Sequence, residues 1–137
     1  MPRIIVKSKF SLEICVVAFN KIKDSRIDKL IINANPKDFI SLVDGSSCVI
    51  TNSFHGAVFS LIFDKPQIVL GKTMYNSRMI SLLEKSGRMG HFLPIDEMID
   101  EKKIINIVAD SCDSTMSDKP LNDWIAESKD FLLSALE

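Results

Sequence analysis

Between two strongly apolar stretches the chain carries one short polar run, Thr51-Asn52-Ser53-Phe54-His55-Gly56. Its hydroxyls and amide can donate to phosphate or carboxylate oxygens, and His55 can donate or transfer a proton. Gly56 lets backbone or ligand approach closely, because it has no Cβ. The same residues also admit a purely structural reading. Asn52 and Ser53 are good helix caps, and His55 can be a satisfied, half-buried histidine. Spacing alone leaves both readings open.

A second group of candidates follows downstream. Lys72 and Tyr75 fall in the turn after the apolar run Gln67-Ile68-Val69-Leu70; Tyr75 could stack on a sugar or nucleotide ring, or both could be ordinary loop residues. Arg78 falls in the first turn of a helix, where a cation is unfavourable by about 0.3–1 kcal/mol unless an anion or a carboxylate offsets it. Either a salt bridge or a bound anion would do so. His91 has no partner motif and is read as a loop or strand-edge residue. The charges from Asp96 to Lys103 read as a solvated helix face. No acidic pair stands near either histidine, so the sequence offers no metal site.

These residues need a frame to position them. Glu13 to Phe19 is apolar enough for a buried strand or a short helix, its β-branched content favouring the strand, and Arg3 to Lys7 could be a shorter strand. Asn35-Pro36 is a helix start with Phe39, Ile40, Leu42 and Val43 on its apolar face, and Asp44-Gly45 stops it. Cys48 to Thr51 reads as a short buried strand, and His55 to Phe63 as a helix apolar almost all round, which belongs in the interior. Asp64-Lys65-Pro66 breaks that helix before the strand Gln67 to Leu70, completing a βαβ unit. A further helix carries Met79, Ile80, Leu82 and Leu83 and stops at Gly87. Ile95 to Val108 suggests one broken helix or two short ones. Pro120 opens a last helix whose apolar stripe, Leu121 to Leu136, is expected to pack across the sheet.

Strands alternating with helices predict an α/β fold: a Rossmann-like parallel sheet covered by helices on both faces. In such sheets ligands bind beyond the carboxyl ends of the strands, where loops meet helix N-termini. Thr51 to Gly56 is expected at such a place.

Composition narrows the function classes. The 137 residues are 46% hydrophobic and 26% charged, with a formal net charge of -1, which suits one globular domain spanning 1–137. There is no basic footprint for nucleic acid, and no apolar run approaches the roughly 18–20 residues of a membrane span. Cys15, Cys48 and Cys112 are widely spaced and show no paired motif, which fits a reducing cytoplasm.

Read together, Asn35-Pro36, then Val49-Ile50-Thr51-Asn52-Ser53-Phe54-His55-Gly56, then Lys65-Pro66, then Asn76-Ser77-Arg78 resemble the C-terminal half of the polysaccharide pyruvyl transferase family. The resemblance spans about residues 30 to 93 and, more weakly, Ser128 to Leu136. It implies one of two Rossmann-like halves, similar to a GT-B glycosyltransferase, with phosphoenolpyruvate as donor and a glycan hydroxyl pair as acceptor. No cofactor beyond that donor is implied. His55 would be the general acid, with Thr51, Asn52, Ser53, Gly56, Lys72, Tyr75 and Arg78 holding substrate or anion. A separate N-terminal half, or self-association through exposed apolar surface, would complete the cleft. Two positions depart from the family pattern: Ser53 stands where some members carry Arg, and Asn52 where Asp is common. A hydroxyl cannot reproduce the bidentate grip of Arg on an anion. Two other readings fit the same fold: a binding domain without catalysis, and the nucleotide-sugar half of a GT-B-type glycosyltransferase.

Overall fold

The computed structural model describes residues 11–74, 76–94, 101–112 and 118–136, with backbone alone for 110–112. The expected strand at Arg3 to Lys7, Tyr75, the stretch from Ile95 to Asp100 and the Cys112 side chain lie outside the described residues. Among those described are strands β1 (Cys15–Ala18), β2 (Lys29–Ile32), β3 (Val49–Thr51), β4 (Gln67–Leu70) and β5 (Phe92–Leu93). The helices are α1 (Pro36–Asp44), α2 (Phe54–Ile62), α3 (Ser77–Lys85), α4 (Glu101–Cys112) and α5 (Lys119–Ser134), with a short 3-10 helix at Met89–His91. None of these helices is long and apolar enough to cross a membrane.

Every strand pairing is parallel, as the alternation of strands and helices predicts. The strands nevertheless form two sheets rather than one, β1-β2 and β3-β4-β5. In the larger sheet Thr51 lies opposite Val69, and Val69 opposite Phe92, which brings the carboxyl ends of β3 and β4 side by side.

The central strand β4 shows how the layers arise. Side chains alternate across a strand, so Val69 joins Ala57 and Leu61 of α2 and Met79, Leu82 and Leu83 of α3 in one core cluster. Ile68 faces the opposite way and packs with Ile104, Ile107 and Val108 of α4. Helices therefore cover both faces of this sheet. Gln67, which starts β4, is fully buried, and neither atom of its side-chain amide has a hydrogen-bond partner among the described residues. Such a group costs stability.

Helix α2 is less enclosed than its composition suggests. Gly56, Ala57, Ser60 and Leu61 make the buried face, while Ile62 is 64% exposed. Phe59 packs edge-on to Phe39 of α1 at 6.1 Å. Small residues on the buried face let the helix lie close to the sheet. Its end is set by Asp64, which takes the left-handed conformation (φ 49°) while the Lys65 N–H donates to the Ser60 carbonyl at 2.8 Å.

The last helix departs further from expectation. Leu121 and Trp124 of α5 pack on the cluster that contains α3, and the helix does not lie across the sheet. Both faces of β4 are already occupied, so only the outer side of α3 remains for it. Beyond Trp124 the stripe has no cover among the described residues: Phe131 is 72% and Leu136 84% exposed. The α3–α5 junction is tied by Arg88, a buried guanidinium that donates to Asp118 at 2.9 Å and Asp64 at 3.4 Å. Gly87 (φ 70°) makes the turn that presents it, against Pro120.

Candidate functional site

The polar run forms the junction between β3 and α2. Thr51 ends the strand, and its Oγ1 accepts from the Ser53 N–H at 3.0 Å. Ser53 is the N-cap of α2 in extended conformation, and its Oγ accepts from the Gly56 N–H at a long 3.5 Å. Both hydroxyls thus serve the turn. Gly56 serves it too: a Cβ there would lie 2.4 Å from Thr51 Oγ1. The space beside Gly56 is filled by Thr51.

Asn52 and His55 are different. Both are exposed at the carboxyl end of β3, so His55 is not the half-buried histidine that the structural reading supposes. Its ring meets the Phe54 ring edge-on at 6.1 Å. The N-terminal end of a helix favours an anion in front of it, and His55 lies in that first turn.

Across the edge, the chain leaving β4 contributes Lys72, exposed like His55. Its backbone N–H donates to Asn76 Oδ1 at 2.8 Å, and its carbonyl accepts from Asn76 Nδ2 at 2.7 Å. Arg78, in the first turn of α3, is exposed, with its guanidinium carbon 5.3 Å from the centroid of the Phe54 ring. It makes no salt bridge among the described residues. Phe54 is therefore flanked by Arg78 and by His55. Tyr75, expected at this edge, lies outside the described residues.

The structure brings Thr51, Asn52, Ser53, His55, Gly56, Lys72 and Arg78 to one sheet edge and divides them by role. Thr51, Ser53 and Gly56 build the turn; Asn52, His55, Lys72 and Arg78 face outward from it. Phe54 and Asn76, which the sequence reading passed over, organise the outward group. Both stand inside strings noted for other reasons, Phe54 in the polar run and Asn76 in Asn76-Ser77-Arg78. His91, expected at a loop or strand edge, is buried in the 3-10 helix before β5. Among the described residues no three of His, Cys, Asp and Glu gather around a point that could hold a metal ion.

The family model described as polysaccharide pyruvyl transferase matches residues 3–72, just over half of the 137-residue chain. The match takes in the N-terminal stretch, passes through the turn at His55 and ends at Lys72, before Arg78. No curated protein and no solved structure matches. The chain belongs to the polysaccharide pyruvyl transferase family.

Proposed function

We propose that this member of the polysaccharide pyruvyl transferase family uses the joined ends of β3 and β4 to bind phosphoenolpyruvate and transfer its pyruvyl group to a glycan as a ketal. The observation that carries the reading is the pairing of exposed His55 with Arg78 across Phe54, one a proton donor and the other a cation without a carboxylate partner among the described residues. Phosphoenolpyruvate requires both. Its carboxylate and phosphate need positive charge, and its methylene carbon needs a proton.

In this reading His55 delivers that proton as one sugar hydroxyl bonds to the neighbouring carbon. A second hydroxyl on the same sugar then forms the other carbon–oxygen bond as phosphate departs, leaving a pyruvate ketal. The hydroxyl protons pass to solvent or base. Asn52, Lys72 and Arg78 hold anionic oxygens, while Thr51, Ser53 and Gly56 keep the turn in shape. Since the outward residues are exposed on one edge, a facing surface from a second α/β half or another copy of the chain completes the cleft and excludes water.

Calorimetric titration with phosphoenolpyruvate, beside phosphate and a nucleotide-sugar, tests the donor, and turnover with a glycan acceptor tests the chemistry. Expected are binding of phosphoenolpyruvate in preference to the others and, in His55→Ala, turnover reduced about 10²–10⁴-fold, the usual contribution of a general acid. Equal turnover in His55→Ala would remove the proposed role. A second reading has its own support, because the Thr51 and Ser53 hydroxyls already serve the backbone: the edge binds an anion without transferring it. Donor binding without turnover, in the presence of the facing half, would select it.

A further inference from the structure

Asn76 sits at the N-cap of α3, the position where asparagine ordinarily accepts from first-turn amides. Its side chain makes no such bond. It turns back along the chain and holds both backbone groups of Lys72, accepting from the N–H at 2.8 Å and donating to the carbonyl at 2.7 Å. Only a side-chain amide can accept and donate in this way from one planar group. A carboxylate lacks the donor, and a serine hydroxyl is too short to span the gap.

The consequence is geometric. Lys72 is the second residue beyond β4 and Arg78 is the second residue of α3, so both outward cations are attached to backbone that this one amide joins. We propose that Asn76 is a positioning residue, a latch that fixes Lys72 relative to the start of α3 so that Lys72 and Arg78 face the donor as a preformed pair. The inference rests on the donor reading given above. Preorganised groups bind more tightly because less ordering remains to be done on binding.

Asn76→Ser removes the latch, since serine cannot reach Lys72, and it loses the same two hydrogen bonds as Asn76→Ala. The measurements are thermal unfolding and calorimetric titration with phosphoenolpyruvate, on wild type, Asn76→Ser, Lys72→Ala and the double variant, with Asn76→Ala as a second unlatched form. The expected result is a Tm lowered to a similar extent in Asn76→Ser and Asn76→Ala, with phosphoenolpyruvate affinity about tenfold weaker in both, as less preorganised cations bind more weakly. In the Lys72→Ala background the same substitution should cost nothing more, because nothing is left to position. Wild-type affinity in both unlatched variants, or an equal loss with and without Lys72, overturns the latch and leaves the donor reading standing. A wild type that takes up no phosphoenolpyruvate overturns both.

Discussion

The guanidinium of Arg78 lies over the ring of Phe54, 5.3 Å from its centroid, joining the first turns of α3 and α2. An exposed cation–π contact contributes about 0.5–1 kcal/mol, and a cation at a helix N-terminus costs about 0.3–1 kcal/mol. The two nearly cancel, so Arg78 has little to do with stability. Replacing it with Gln should therefore leave Tm within a degree or two while weakening phosphoenolpyruvate binding about 10- to 100-fold, the size of a lost charge-assisted hydrogen bond. Arg78→Lys should recover only part of that affinity, since an ammonium keeps the charge but not the planar stack. Calorimetry on the three proteins checks it; a Gln variant that binds as well as wild type would release Arg78 from the site.

The contact between Thr51 and Gly56 should appear as stability rather than affinity. Alanine favours a helix over glycine by about 1 kcal/mol, yet its Cβ would lie 2.4 Å from Thr51 Oγ1 and 3.0 Å from Thr51 Cβ. That Oγ1 is also held by the Ser53 N–H. Overpacking should win, and Gly56→Ala should lose about 1–3 kcal/mol in urea unfolding. Adding Thr51→Ala removes the nearest atom, so the double variant should regain part of the loss.

Arg88 is 5% exposed, whereas its two carboxylate partners reach solvent. Asp118 holds it at 2.9 Å and Asp64 at 3.4 Å. Neutralising the nearer partner leaves a buried guanidinium with the weaker one. Asp118→Asn should accordingly destabilise by about 1.5–3 kcal/mol, and Asp64→Asn by less, asparagine being tolerant of the left-handed backbone at that position. Urea midpoints in the reverse order would contradict this assignment.

The outer end of α5 exposes Phe131, Leu132, Leu133 and Leu136 in a row. An apolar surface of this kind promotes association. Light scattering across a concentration series should show the chain associating as it is concentrated, and Phe131→Glu should shift that behaviour to higher concentration. A wild type that stays monomeric throughout would show that this face remains uncovered in solution.

Several elements were legible because their signals are short-range. Asn35 caps α1 by accepting from the Asp38 N–H at 2.9 Å, as Asn-Pro before an apolar face predicts. The β-branched runs became parallel strands, Asp64-Lys65-Pro66 ended α2, and Gly87 ended α3 in the left-handed conformation. The place of the polar run was legible, since a run after a strand and before a helix must fall at the carboxyl edge. The bonding around it was less so. Thr51, Ser53 and Gly56 also hold one another, and Asn76 holds the Lys72 backbone.

What the residues determined unaided was the alternation of strands and helices around the polar run and the helix ends at Asn35, Asp64 and Gly87, because caps, breakers and periodicity act within a few positions of the chain. The strands β2 and β5, whose apolar runs are too brief to carry such a signal, were not among the expected strands. The tertiary structure alone decided which side chains remained available. Phe54 meets Arg78, Arg88 reaches Asp118 thirty positions away, and α5 rests on α3 because β4 has no face left to offer. Such pairings depend on how close two elements come. That distance is set by packing, through small residues such as Gly56, Ala57 and Ser60, and no local pattern specifies it.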